Sequence, residues 1–229
     1  MSSLFSYFFD LVYPNLCLLC SENLMKAEKY ICFHCRSDIP TTKYHLTPDN
    51  PVEKRFWGKV PLTAGSSYFF FQKGSDYQKL IHELKYRGNR ELGIELGRMA
   101  GAELKESSAF ASADYIVPVP LHYKKEAKRG FNQSLMIALG MSETLNIPVA
   151  DKMLVRNLPS ETQTRKSVYE RYENTAGIFS LRQKEECEEK HILLVDDVLT
   201  TGSTLEACAA ALLQCEGVKV SVFTLALAL

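Results

Sequence analysis

The stretch Ile192-Leu-Leu-Val-Asp196-Asp197-Val-Leu-Thr200-Thr201-Gly202-Ser203-Thr204 constrains the fold more than any other. Four consecutive apolar residues end in two adjacent carboxylates, and a hydroxyl-rich turn then opens an apolar helical pattern, which describes a buried strand feeding a helix. Such runs belong to parallel sheets covered by helices, where ligands bind beyond the carboxyl ends of the strands. Gly202 permits a tight turn. The amides of Thr201, Gly202, Ser203 and Thr204 at the helix start suit a phosphate, helped by the hydroxyls of Thr200, Thr201 and Thr204. Asp196 and Asp197 repel that phosphate. They would instead accept hydrogen bonds from ribose hydroxyls, or hold a Mg²⁺ shared with those hydroxyls and a diphosphate. A sugar with phosphate at one end and vicinal hydroxyls at the other meets both demands. The plainer alternative is an acidic pair that only caps the next helix.

The surrounding chain supports one sizeable α/β unit with a small appendage. At 229 residues and 46% hydrophobic, folding buries roughly 70% of the unfolded surface, which excludes wholesale disorder. Equal numbers of basic and acidic residues, 27 of each, leave nucleic-acid or membrane binding to a local patch. Residues 2–13 place Leu4, Phe5, Phe8, Phe9, Leu11 and Val12 at helical spacing before Pro14. That stretch lacks a basic start and carries Asp10, so it reads as a short helix, with no membrane insertion and a cytoplasmic location. Residues 41–59, with Pro48 and Pro51, read as a connector between a module at 1–45 and a domain at 60–229. Strands are expected at 67–72, 115–119, 192–195 and 219–229, and helices at 77–86, 91–106, 132–145 and 204–215. Their alternation implies a mainly parallel sheet. A short apolar run, 153–155, precedes a polar tract from 157 to about 174 that is too long for a simple connection.

Cys17-x2-Cys20 and Cys32-x2-Cys35 form two pairs whose thiolates can face one ion at about 2.3 Å. Four sulfurs close a tetrahedron and leave no open coordination position, so Zn²⁺ there would be structural. Disulfides or a redox pair are the alternatives. His34, between Phe33 and Cys35, is expected to point outward. Cys187, Cys208 and Cys215 are assigned no chemistry.

The run from Ile192 to Thr204 resembles the phosphoribosyl pyrophosphate (PRPP) motif of type I phosphoribosyltransferases, with Ser203 where that motif commonly has Gly. With the cysteine pairs, Leu84-Lys85-Tyr86-Arg87-Gly88, Val117-Pro-Val-Pro-Leu-His122 and Arg129-Gly-Phe-Asn-Gln133, nearly the whole chain resembles the ComF family, also called GntX-like or competence protein F. The resemblance implies a type I phosphoribosyltransferase fold preceded by a zinc module, in a family linked to DNA uptake during natural transformation. It also implies that the loop around Leu121, His122 and Lys124 binds pyrophosphate, with Lys124, Lys125, Lys128 and Arg129 supplying charge. By charge alone the alternative for that segment is a solvated loop or helix start.

Two function classes follow. One is Mg²⁺-dependent transfer of ribose 5-phosphate from PRPP to a nitrogen acceptor, with Asp196, Asp197, Lys124 and Arg129 as the catalytic set. The other is a non-catalytic module that senses PRPP or binds single-stranded DNA on basic residues interleaved with Tyr86, Tyr123, Phe131, Tyr169 and Tyr172. Family membership suggests a helicase-like or recombination-mediator partner. Lys85 and Arg87 either face the cleft or form a helix-terminal basic pair. The tract at 157–174 resembles a lid over PRPP, the alternative being a linker.

Overall fold

The computed structural model describes residues 14–157, 178–182 and 184–229. The helix expected at 2–13 and nearly all of the tract at 157–174 lie outside these residues. Among the described residues a four-stranded parallel sheet has the order β1-β6-β5-β2, formed by β1 (Ala64–Phe71), β2 (Tyr115–Pro118), β5 (His191–Leu199) and β6 (Lys219–Ala228). A separate antiparallel pair joins β3 (Leu154–Arg156) to β4 (Phe179–Leu181). The helices are α1 (Phe33–Ser37), α2 (Pro51–Lys54), α3 (Gln78–Tyr86), α4 (Arg90–Leu104), α5 (Ser108–Ala111), α6 (Tyr123–Arg129), α7 (Gln133–Leu145) and α8 (Ser203–Leu212). No helix among the described residues is long and apolar enough to cross a membrane.

Successive β5 side chains point to opposite faces, so one strand serves two cores. Leu193 and Val195 pack with Leu84, Leu96 and Ile137 under α3, α4 and α7. Ile192 and Leu194 pack with Leu205, Leu212, Val52 and Phe56 under α8 and α2. β2 ends early: its last paired residue is Pro118, opposite Val195, and Val119 donates the final ladder bond to the Val195 carbonyl at 2.9 Å. Pro118 and Pro120 have no N–H to extend the ladder. Among the described residues Asp196, one residue further, is paired only on its β6 side, with Thr224. The strand thus leaves the shelter of one neighbour where the carboxylates begin.

On one face of the sheet α4 and α7 pack closely on each other. A Cβ on Gly97 of α4 would fall on the Ile137 carbonyl, and one on Gly140 of α7 would fall on the Ile94 carbonyl. Backbone meets backbone there, and the approach fixes where α7 starts beside β5.

The segment read as a connector is built into the second core. Asn50 caps α2 by accepting from the Val52 and Glu53 amides at 2.9 and 3.2 Å, and its amide nitrogen donates to the Gly65 carbonyl at 2.8 Å. Pro51 sits at the first helical position, where its missing N–H costs nothing. Val52 and Phe56 are thereby buried completely, each contributing roughly 1.5–3 kcal/mol of apolar burial. The cysteine-bearing segment rests on the same body. Tyr77 donates its hydroxyl to the Asp38 carbonyl at 2.6 Å, and the Lys79 ammonium donates to the Leu19 carbonyl at 3.0 Å.

Candidate functional site

Asp196 and Asp197 leave the carboxyl end of β5 partly exposed. Asp196 Oδ1 accepts from the Ser134 hydroxyl at 2.9 Å and from the Asp197 amide at 2.8 Å. Ser134 is delivered by the start of α7, where Asn132 caps the helix by accepting from the Ser134 amide and donates to the Val119 carbonyl at 3.0 Å. Asn132 thus ties the end of β2 to the helix that supports the acid pair. Burial, reinforced by the neighbouring Asp197 charge, pushes the Asp196 carboxyl up to about 7. Asp197 Oδ2 lies 3.0 Å from the Lys85 ammonium at the end of α3.

The hydroxyl-rich turn follows within a few residues. Gly202 has φ +86° and begins α8, and a Cβ there would press to 3.3 Å from the Phe56 ring. Position 202 is therefore closed to larger residues both by its left-handed backbone and by what lies beneath it. Thr200, Thr201, Ser203 and Thr204 are exposed. The Thr201 hydroxyl oxygen is 3.0 Å from the Ser203 hydroxyl and accepts from the Ser203 amide at 3.4 Å. The turn presents hydroxyls and first-turn amides beside two carboxylates, a donor edge next to an acceptor edge.

The other expected residues are placed as follows. Leu121 is half-buried, and His122 caps α6 by accepting from the Lys124 amide at 3.2 Å while stacking on Tyr123. The segment 123–129 is a helix with no buried residue. Lys124 extends over the Tyr123 ring, and Arg129 pairs with Gln133 Oε1 at 2.7 Å and covers the Tyr86 ring. Among the described residues neither Lys124 nor Arg129 forms an ion pair with Asp196 or Asp197. Arg87 turns back to Glu83 at 3.7 Å, so of the two cations left open on α3 only Lys85 reaches the carboxylates. Ser134 was missed by the sequence reading. Its start-of-helix position was legible, but nothing local pointed to a partner 62 residues away.

A second cluster lies elsewhere. One sulfur from each of Cys17, Cys20, Cys32 and Cys35 falls within 4.8 Å of every other. The Cys32 amide donates to Cys17 Sγ and the Cys35 amide to Cys32 Sγ, each at 3.4 Å. Burial opposes ionisation of Cys17, but amides of Cys20, Cys32 and Leu19 outweigh it and bring that thiol down to about 6. Burial and the neighbouring thiols push Cys35 up. Four mutually facing sulfurs on two turns are the donor set of a closed tetrahedral ion site. His34 points out of the cluster, toward Asp38 at 3.0 Å.

The family model "Phosphoribosyl transferase domain" matches residues 131–228, which carry Ser134, the acid pair and the Gly202 turn. The chain is 31% identical over 231 residues to the DNA utilization protein YhgH of Salmonella typhimurium (strain LT2), covering 94% of this chain and 98% of that one. It is 28% identical over 247 residues to the competence protein ComFC of Bacillus subtilis (strain 168), covering 93% and 95% respectively. Among solved structures, glutamine PRPP amidotransferase from B. subtilis is similar over 62% of this chain, at 22% identity and a TM-score of 0.43, and the chain spans 30% of that protein. Over nearly all of its length, then, this chain belongs to the ComF/YhgH family of competence and DNA utilization proteins, and it carries a phosphoribosyl transferase domain.

Proposed function

We propose that the chain binds PRPP with Mg²⁺ and transfers its ribose 5-phosphate to a nitrogen acceptor, in the handling of incoming DNA. The observation that carries this reading is the juxtaposition of Asp196 and Asp197 with the Gly202 turn. The 5-phosphate would lie on the amides and hydroxyls of Thr200 to Thr204, and the ribose diol beside the acid pair. In the transfer the bond from the anomeric carbon to pyrophosphate breaks, a bond to the acceptor nitrogen forms, and positive charge grows on the ribose. The Asp196 carboxyl, held by the Ser134 hydroxyl and the Asp197 amide, would face that charge with little reorganisation. The hard oxygen donors of the pair fit Mg²⁺, which would neutralise the departing pyrophosphate. Lys124 and Arg129, with Leu121 and His122 at the loop before α6, would receive the leaving group's charge. The four thiols would hold a structural Zn²⁺.

Calorimetric titration of PRPP in the presence of Mg²⁺ tests binding, and pyrophosphate release with candidate nitrogen bases tests turnover. PRPP uptake that survives the double Asp196→Asn/Asp197→Asn change would overturn the reading.

A second reading, a single-strand-binding or PRPP-sensing module without turnover, is favoured by one observation. Tyr86 and Tyr123 are exposed, and cationic side chains of Arg129 and Lys124 lie over their rings. Such ledges accept stacked bases beside a phosphate-binding charge. Oligonucleotide affinity that falls steeply with salt, and falls further in Tyr86→Ala/Tyr123→Ala, would support it.

A further inference from the structure

We infer that Lys85 is a resident counter-cation of Asp197 that keeps the acid pair from free divalent metal ions and releases it when a sugar diphosphate arrives. This rests on the PRPP reading above and adds to it the order in which the site gives up its own cation.

The geometry is specific. Lys85 is the penultimate residue of α3, and its ammonium lies 3.0 Å from Asp197 Oδ2 with the two side chains 20% and 13% exposed. Among the described residues it makes the one ion pair recorded for either carboxylate. Asp196 Oδ1 is already engaged by Ser134 and by the Asp197 amide. A metal ion seeking oxygens from both residues would meet the ammonium on the Asp197 side, and two cations cannot share that oxygen cheaply at partial burial. The lysine has to leave. In the absence of a ligand it would leave toward solvent, surrendering a well-placed ion pair. With a diphosphate in the cleft it would exchange one anion for another, and a four-carbon stem with a rotatable ammonium suits such a swing. Metal and sugar diphosphate would therefore bind with positive coupling, each raising the other's affinity by the same factor. The local packing permits the exchange. Arg87, two residues on, is committed to Glu83, and Leu84 is fully buried beneath. The helix stays anchored while its terminal cation moves.

The test uses the full chain and Mn²⁺ as the probe, with free Mn²⁺ followed by electron paramagnetic resonance. Wild type should take up Mn²⁺ weakly alone and more tightly with PRPP. Lys85→Met should bind Mn²⁺ alone about tenfold more tightly, and the factor by which PRPP improves Mn²⁺ binding should shrink about tenfold. Lys85→Arg, which keeps the charge, should behave as wild type on Mn²⁺ alone. A lysine that stayed in place when PRPP arrived would leave the factor by which PRPP improves Mn²⁺ binding unchanged on removal. Thermal unfolding of each variant ensures that folded proteins are compared. Lys85→Met binding Mn²⁺ no more tightly than wild type, with PRPP still bound by both, overturns the inference alone. Wild type that takes up no PRPP at saturating Mn²⁺ overturns the PRPP reading and the exchange with it, a different signature.

Discussion

The two ends of β5 carry similar numbers of polar groups and treat them in opposite ways. At the first residue, His191 is buried with both ring nitrogens engaged, Nε2 to the Ser221 hydroxyl at 2.8 Å and Nδ1 to the Ser112 hydroxyl at 3.2 Å. Its amide donates to Asp114 Oδ2 at 2.8 Å. Six residues later, Asp197 has one oxygen on Lys85, and the turn beyond it is exposed. A strand whose polar groups are satisfied from within contributes stability. One whose groups still have valence at the surface is available for a ligand, and in open α/β sheets that end is the carboxyl end.

The sharpest way to break this comparison is to alter the open end and look for lost stability. Asp196→Asn/Asp197→Asn should weaken Mg²⁺-dependent PRPP binding by about 100-fold or more, because two charges that fit a hard cation are removed. The melting temperature should hold or rise, since the crowded carboxylates are relieved. A large drop in melting temperature together with retained binding would invert the assignment of the two ends.

His191→Ala is the mirror experiment. Leaving the buried Ser221 hydroxyl without its partner and opening a void should cost about 2 kcal/mol, seen as a melting temperature lower by about 4–8 °C, with PRPP affinity unchanged. Gly202→Ala should fall between the two, weakening PRPP about tenfold through a strained backbone at the phosphate turn, with a smaller stability loss. Calorimetry and thermal scans on the same samples separate these outcomes.

The smallest effect is a dependence on acid. Burial lowers the affinity of His191 for a proton below its ordinary value, and it does the same for His45, which sits between Glu103 and Glu106 near Lys43. A histidine whose folded-state value is lowered contributes stability that is present above about pH 6.5 and lost as the pH falls below it. Urea unfolding from pH 7.5 to 5.5 should show that loss. His191→Asn should flatten part of it, leaving the share that belongs to His45.

Much of the site was legible because its signals are local. The run Ile192–Val195, the two aspartates and the glycine that opens α8 are contiguous, so strand, acid pair and turn could be placed from spacing alone. What escaped depended on distance or on competing rules. Ser134 meets Asp196 only through the close approach of α4 and α7, which glycines at 97 and 140 permit. Lys85 lies in the last turn of α3 and Arg87 caps its end two residues on, so they point in different directions, and charge could not say which faced inward. Pro51 was read as a breaker when it starts α2, and the basic segment 123–129 became a helix because His122 caps it. β4, three residues long, is below what alternation can detect.

The anchoring of α3 bears on how this protein should be handled at the bench. Its first turn is fastened to the cysteine-bearing segment through Tyr77 and Lys79, and its last turn delivers Lys85 to the acid pair. Trimming the amino-terminal forty or so residues to obtain a tidier fragment would unseat the near end of the rod that carries this lysine. Ligand affinities measured on such a fragment would describe a different cleft, and screening campaigns are better served by the full chain with its thiols kept reduced.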